Sequence, residues 1–474
     1  MQASSPKKLT AHASLLLLWM TLAAVLIPTG VSRAASFNQS IEKQPSQEQE
    51  PSIAVTGYFS ARYWFRTAQT TSGDVARDQD AYGELRIDAT TPKTGRYEFH
   101  FIGNVRNDLD GNRDLHTYYP LEDIGDTGPK HTVGYLYEAH LDINNPFSRV
   151  TQFRIGRQAS TRDEPVYFDG IAMDVGLLPK MNLTLYGGAG VNFYEINRSE
   201  GDDTVAGAGL DLYPTTSTGI GLDYLTIKDK RDYLQLTDVQ DHLVSLKIWQ
   251  RFTPSIKATA NYRYQNGEAR DLNLRLIGVF PESRTEFGAG YLRQFNIQSV
   301  QSNPLSPFVD VAGPTTPFQQ YEVKVRQFFG TRYAVDLSYY KKDLTGNDPP
   351  GDFNHEYSRV TAGLEIADLL VRNFTLTLTA DAWNSDGQDF LSGGADIGYS
   401  FGRKGTAAKI NAGTYYSLYK YDYYQQLGEH DRVRTYYITM RAPLAKQLFL
   451  NLNYEYEKSL ENIQSLRTGI RYDF

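Results

Sequence analysis

The chain has no cysteine and, beyond its N-terminal segment, no long apolar run. Without thiols it can hold no disulfide framework, no thiolate metal site, no cysteine nucleophile and no covalently attached c-type haem of its own. A mean hydropathy of −0.47 with 41% hydrophobic residues excludes a helical membrane protein. A surplus of one positive sign is also missing: the formal net charge is −7, which argues against nucleic acid as a partner. What the chain does contain is aromatic residues, at 13%, with 34 tyrosines and 39 glycines. That is too much ring surface for a disordered chain. The remaining class is a β-rich protein whose apolar residues are interleaved with polar ones.

The N-terminus bounds the compartment. Lys7 and Lys8 precede an apolar run from Ser14 to Ile27, followed by Pro28, Gly30 and Ser32-Arg33-Ala34. This order of charged, apolar and small residues predicts a secretory signal peptide over 1–34. The run of about 14 residues is too short for a spanning helix, which needs roughly 20. Removing Lys7, Lys8 and Arg33 leaves a mature charge of about −10. Residues 35–53 are a polar, Gln/Glu-rich tract without periodicity, read as a flexible lead-in and far too short for a plug domain.

From Ala54 the pattern has period two. Leu85, Ile87 and Ala89 alternate with Glu84, Arg86 and Asp88; Ile256, Ala258, Ala260, Tyr262 and Tyr264 alternate with Lys257, Thr259, Asn261, Arg263 and Gln265. Each such strand has one apolar and one polar face. Segments of about 10 to 14 residues exceed the five or six usual in soluble sheets and suit a tilted membrane strand. Short links such as Thr91–Gly95, Asn145–Ser148, Phe280–Ser283 and Ala442–Lys446 alternate with long polar ones: Gly111–Lys130, Asn192–Asp202, Asp229–Gln240, Asn296–Phe318, Lys342–His355 and Tyr421–Asp431. This rhythm predicts an all-β fold, a single transmembrane antiparallel up-and-down barrel of about 22 strands (18–22) over 54–474, with short periplasmic turns and longer external loops. The boundaries near Arg162–Leu178 and Leu364–Phe374 are the weakest. Tyrosines and tryptophan grouped at strand ends (Tyr58, Tyr63, Trp64; Tyr415, Tyr416, Tyr419, Tyr421, Tyr423, Tyr424; Tyr436, Tyr437) suit aromatic girdles.

The last strand places Ile470, Tyr472 and Phe474 on one face, with an aromatic residue at the final position. This resembles the assembly signal of bacterial outer-membrane proteins. The resemblance implies a location in the bacterial outer membrane, with lipid and the outer-membrane assembly machinery as partners. Phe153-Arg154-Ile155-Gly156-Arg157-Gln158 and Phe168-Asp169-Gly170 are similar to segments of several porin-like barrel families. Taken with the export signal, the membrane-length strands and the C-terminal pattern, the expectation is a porin-like channel without intrinsic catalysis.

Polar faces carry both signs at similar density, so the candidate pore-lining residues are Arg86, Glu98, Arg106, Glu138, Arg154, Arg263, Glu322, Arg326, Glu455 and Arg467. Most such charges are expected to form cross-strand ladders that hold the wall, for example Arg86 with Glu98. No catalytic or metal residues are expected. The eight histidines have no His-Glu-x-x-His spacing, and His242 and Ser245 would face opposite ways on one strand. Asn107–Asp114 loosely follows a calcium loop but lacks its late glutamate. No cofactor is expected in this chain. Because 22-strand barrels are normally plugged, a second expectation is a sheath around a multihaem cytochrome, which resembles the porin–cytochrome conduits of metal-respiring bacteria. A secreted soluble β-protein is the remaining alternative.

Overall fold

The computed structural model describes residues 53–69, 73, 75–92, 94–110, 121, 131–191, 203–229, 239–296, 317–346, 356–385, 388–402, 407–417, 433–459 and 462–474. The expected signal peptide 1–34 and all but the last residue of the lead-in 35–53 lie outside them, as do Tyr419, Tyr421, Tyr423 and Tyr424.

Alternation along the chain becomes one 22-stranded antiparallel sheet in which every strand pairs with its sequence neighbours. The strands are β1 (Ala54–Gln69), β2 (Val75–Thr90), β3 (Tyr97–Asp108), β4 (Thr132–Asn144), β5 (Val150–Ala159), β6 (Tyr167–Leu178), β7 (Met181–Gly190) and β8 (Thr204–Thr215). Next come β9 (Thr218–Asp229), β10 (Val239–Thr253), β11 (Ile256–Gln265), β12 (Glu268–Phe280), β13 (Thr285–Gln294), β14 (Phe318–Phe329) and β15 (Tyr333–Leu344). The last are β16 (Tyr357–Ala367), β17 (Phe374–Ser385), β18 (Gln388–Phe401), β19 (Ala408–Ser417), β20 (Val433–Ala445), β21 (Leu448–Lys458) and β22 (Asn462–Asp473). β22 then pairs with β1 from Tyr58↔Asp473 to Gln69↔Asn462, closing an up-and-down barrel. The upper end of the expected strand number is the one the structure has.

The two rims differ as the link lengths require. Links at the rim where β1 starts and β22 ends are tight, such as 179–180, 216–217, 254–255 and 446–447; the opposite rim carries 109–131, 191–203, 295–317, 345–356 and 418–432. Some links on the second rim are short too. Asn266 and Gly267 join β11 to β12 with φ of 50° and 92°, the positive pair that a two-residue hairpin turn needs and that Asn-Gly supplies cheaply. The first link is confined to 70–74 because the β1–β2 ladder continues to Gln69↔Val75.

Large apolar side chains point away from the barrel axis. Leu222, Leu246, Val323, Leu337, Val360 and Ile438 are between 40% and 52% exposed. The charged side chains of the alternate face are the sheltered ones: Arg66, Asp78, Asp80, Asp142, Asp223, Asp241, Asp271 and Asp381 are all buried. A water-soluble barrel would have the opposite polarity. On the inner side lies one buried apolar cluster, formed by Phe168, Tyr186, Val205, Leu225 and Leu243 on consecutive strands β6 to β10.

Candidate functional site

The register places every candidate lining residue on the polar, inner face. Arg86 lies opposite Tyr58, and Arg106 lies opposite Tyr82. Glu98 faces Asp142, which in turn faces Arg154; Glu138 faces Ile102. Arg263 faces Asp271, and Glu322 and Arg326 face Tyr340 and Asp336. Glu455 faces Ser465 one register step from Asn453↔Arg467.

Their partners are mostly within the wall. Arg86 bonds Asp88 at 2.8 Å, not Glu98 as the ladder expectation had it. The reason is register: Arg86 sits opposite Ile102, while Glu98 sits opposite Thr90 and accepts from Asn144 at 2.9 Å. Arg154 grips Asp142 with two hydrogen bonds of 2.6 and 2.9 Å. Arg106 approaches Asp80 at 3.4 Å, Arg326 bonds Glu365 at 2.8 Å, and Glu322 pairs with Lys324. Arg467 stacks on Trp64 with its guanidinium carbon 4.0 Å from the ring centre, and Arg66 covers the same indole at 4.1 Å.

The aromatic groups at strand ends divide between faces, which corrects the girdle expectation. Tyr63, Tyr416 and Tyr436 face outward, but Tyr58, Trp64, Tyr415 and Tyr437 are on the inner face. There their polar tips meet wall groups: Tyr58 donates to Glu84, Trp64 to Ser465, Tyr415 to Asp381 and Tyr437 to Asp396. Carboxylates on a polar wall compete for the hydroxyls that a membrane boundary would otherwise hydrate. The calcium-like loop is engaged internally as far as it is described: Asp108 bonds His131 at 3.3 Å and Asp110 accepts from the Gln79 amide at 3.0 Å. Its residues 111–114 lie outside the described residues.

The feature that alternation did not reveal is the link 160–166 between β5 and β6, here called the strap. It crosses the inner face of β6 and β7 and reaches five further strands. Arg162 bonds Asp211 of β8 at 2.6 Å and also bonds Asp223 of β9. Asp163 accepts from Ser245 and Lys247 of β10, each at 2.9 Å. Glu164 accepts from Arg263 of β11 at 2.7 Å and Arg270 of β12 at 2.8 Å. Val166 packs on the inner apolar cluster. The strap thus covers apolar surface and neutralises wall charges in one crossing. The signal available in the sequence was the charged run Arg162-Asp163-Glu164 ending at Pro165, inside a stretch with no clear strand boundary.

Titration reflects this packing. Burial alone would raise the Asp163 carboxyl, but hydrogen bonds from Lys247 and Ser245, with the charges of Lys247 and Arg162, hold it below the usual carboxylate range. Burial would lower the Arg162 guanidinium, and its bonds to Asp211 and Asp223 outweigh that and raise it. Both strap ends of these pairs therefore stay charged at neutral pH.

The porin-like segments have a structural account. Gly156, Gly170 and Gly188 lie in one row across β5, β6 and β7. A Cβ on Gly170 would stand 2.1 Å from the Gly187 carbonyl oxygen, so the row is a place where backbones approach closely. Arg154 faces inward as expected, while Arg157 and Asp169 form a two-bond ion pair at 2.7 and 2.6 Å on the outer face. His242 and Ser245 occupy opposite faces of β10.

No protein-family model matches the chain, and no curated protein does. Among solved structures it is similar to the translocation pore of the P pilus usher PapC, at 11% identity over 88% of this chain and 99% of that one, with a TM-score of 0.49. It is also similar to OccAB3 of Acinetobacter baumannii (11% identity, 89% and 99% covered, TM-score 0.43). A third is OpdK of Pseudomonas aeruginosa, crystallised with vanillate (12%, 89% and 98%, TM-score 0.39). At such identities and TM-scores, the functional reading rests on this chain's own geometry.

Proposed function

We propose that the chain is a porin-like channel of the bacterial outer membrane, giving polar passage along its inner wall and performing no catalysis itself. The observation that carries this reading is the polarity of a closed barrel: large apolar side chains outside, buried charges inside. Strands of ten to sixteen residues are long enough to cross a bilayer when tilted. In lipid a closed sheet leaves no unpaired edge. Lipid is then the outer partner. Ile470, Tyr472 and Phe474, which share the outer face at the closing strand, serve as the recognition stripe for the assembly machinery. The lining residues named above, with the strap, set the size and polarity of the passage.

The test is reconstitution. The folded barrel should require detergent, migrate differently when boiled, and make liposomes permeable to small sugars. Recovery as a soluble protein without detergent overturns the membrane assignment; sealed liposomes around a correctly folded barrel overturn the channel.

A second reading has its own support, which is size. Barrels of 22 strands are normally plugged, and the strap lines only the arc from β6 to β12. A multihaem cytochrome filling the remaining lumen would make the chain a sheath. Native purification from the envelope with a haem stain separates the two, since the channel reading expects the barrel without haem.

A further inference from the structure

Along the chain the histidines have no metal-ligand spacing; the register creates one. His100 of β3 lies directly opposite His140 of β4, forty residues away in sequence, and the two rings stack with centroids 5.0 Å apart. Asp142 is two residues further along β4 on the same inner face, opposite Glu98. We propose that His100, His140 and Asp142, with Glu98 as a fourth donor, bind a divalent transition cation of the zinc class on the inner wall.

Each imidazole is oriented by its Nδ1. That of His100 bonds the Asp88 carboxylate at 2.7 Å, and that of His140 meets the Arg157 carbonyl at 3.3 Å. A carbonyl only accepts, so His140 carries its proton on Nδ1 and leaves the Nε2 lone pair available. The same tautomer at His100 is the one its carboxylate partner favours. An Nδ1–H held by a carboxylate or carbonyl is the usual outer support of a metal-binding histidine.

Both Nε2 atoms then converge on Asp142, at 3.9 Å from Oδ2 for His100 and 3.8 Å from Oδ1 for His140. The Nε2 of His100 is 3.8 Å from Glu98 Oε2. Asp142 is already bonded by Arg154 and by Gln152, but these use one site on Oδ1 and two on Oδ2. A carboxylate has about four acceptor sites. The unused one belongs to Oδ1, the oxygen nearer His140.

The ligand atoms of the three residues lie within 4.8 Å of one another. A cation with bonds of about 2.0–2.2 Å holds ligands no more than about 4.4 Å apart. A small rotation of His100 closes the set, and His100 is the exposed member: its side chain is 27% accessible, against 5% for His140 and 2% for Asp142. Gly156, opposite His140, adds no side chain beside the site. Two imidazoles with carboxylates suit zinc better than calcium or magnesium, which prefer oxygen alone.

The experiment titrates zinc chloride into the full-chain barrel refolded in micelles, by calorimetry, with cobalt(II) absorption as a readout of coordination. Expected is one zinc per barrel and visible cobalt bands. His140→Ala and His100→Ala should each weaken zinc at least about tenfold, while His242→Ala on the outer face of β10 should not. Asp88→Asn leaves all donors in place and removes the orienting carboxylate, which also pairs with Arg86 on its other oxygen, so it should also weaken binding by about ten- to a hundredfold. It serves where an alanine variant fails to fold, judged by heat-modifiable migration. Wild-type barrel that takes up no zinc at one equivalent, or folded variants that bind as tightly as wild type, overturn the site. None of these readouts depends on conductance.

Discussion

Two arcs of the inner wall use the same kinds of side chain and hold them differently. On the seam arc, β22 through β3, cations are matched by carboxylates or rings of the sheet itself, on the same or an adjoining strand: Arg66 by Asp78 and Trp64, Arg86 by Asp88, Arg106 by Asp80, Arg471 by Tyr58. On the strap arc, a charge on each of β8 through β12 is matched by three consecutive residues that come from the β5–β6 link, beside wall pairs such as Arg263 with Asp271. A charge ladder within the sheet is part of the wall and cannot leave it. A strap held by ion pairs is a separate piece, laid over a backbone ladder that is complete without it. Similar composition thus gives a fixed lining in one arc and a removable one in the other.

Arg162→Ala breaks this contrast most directly. It leaves Asp211 and Asp223 close together without their shared cation, and removing one partner of a buried ion pair costs about 3–5 kcal/mol. The cost should appear in urea unfolding in micelles, with a larger single-channel conductance as the strap lifts. Arg66→Ala exposes the same kind of deficit at Asp78, and Arg66 is only 8% accessible. Its stability loss should approach that of Arg162→Ala, near the lower end of about 3–5 kcal/mol, with conductance unchanged. A conductance increase in Arg66→Ala would erase the distinction between the arcs.

Leu246→Arg addresses the outer surface under the strap arc. A charge on a lipid-facing strand position costs about 2–4 kcal/mol at mid-bilayer, read as lost folding efficiency in vesicles with the conductance of folded barrels unaltered. An unchanged folding yield would count against Leu246 facing lipid.

The smallest effect is titration of the strap. The folded Asp163 carboxyl lies below the unfolded value of about 3.9. Its contribution is therefore complete above that value and is lost as pH falls through the lower folded one. Open-channel noise should rise below about pH 4 and should not do so in Asp163→Asn, whose amide still bonds Ser245. Noise that rises equally in both assigns the acid response to other groups.

Much of the fold was legible because one rule, period two, applies in every segment, and a miscounted strand would have put long links on the wrong rim. Face assignment followed: Arg154, Arg263 and Glu322 point inward as alternation requires. Pairing was not legible. Whether Arg86 meets Asp88 or Glu98, or His100 meets His140, depends on how far one strand is displaced along the next, which the pattern on either strand leaves undetermined. The strap was missed for a related reason. Its residues show no period because they belong to no strand, and their partners lie 49 to 106 positions away in the chain.

The seam between β22 and β1 has a consequence for how the molecule is made. Everywhere else the chain pairs with what was synthesised just before it. At the seam, Trp64 and Ser465 are 401 positions apart, and Phe474, just past β22, exchanges two backbone hydrogen bonds of 3.0 Å with Gly57. Closing a flexible loop of that length costs about 5 kcal/mol in chain entropy, spread over a ladder that runs the whole length of both strands. A chain cut short before β22 loses one hairpin, keeps the others and presents two open strand edges, each a template for another copy. β22 is in that sense a quality check: release from self-association is granted only to a chain in which that strand has been made and paired.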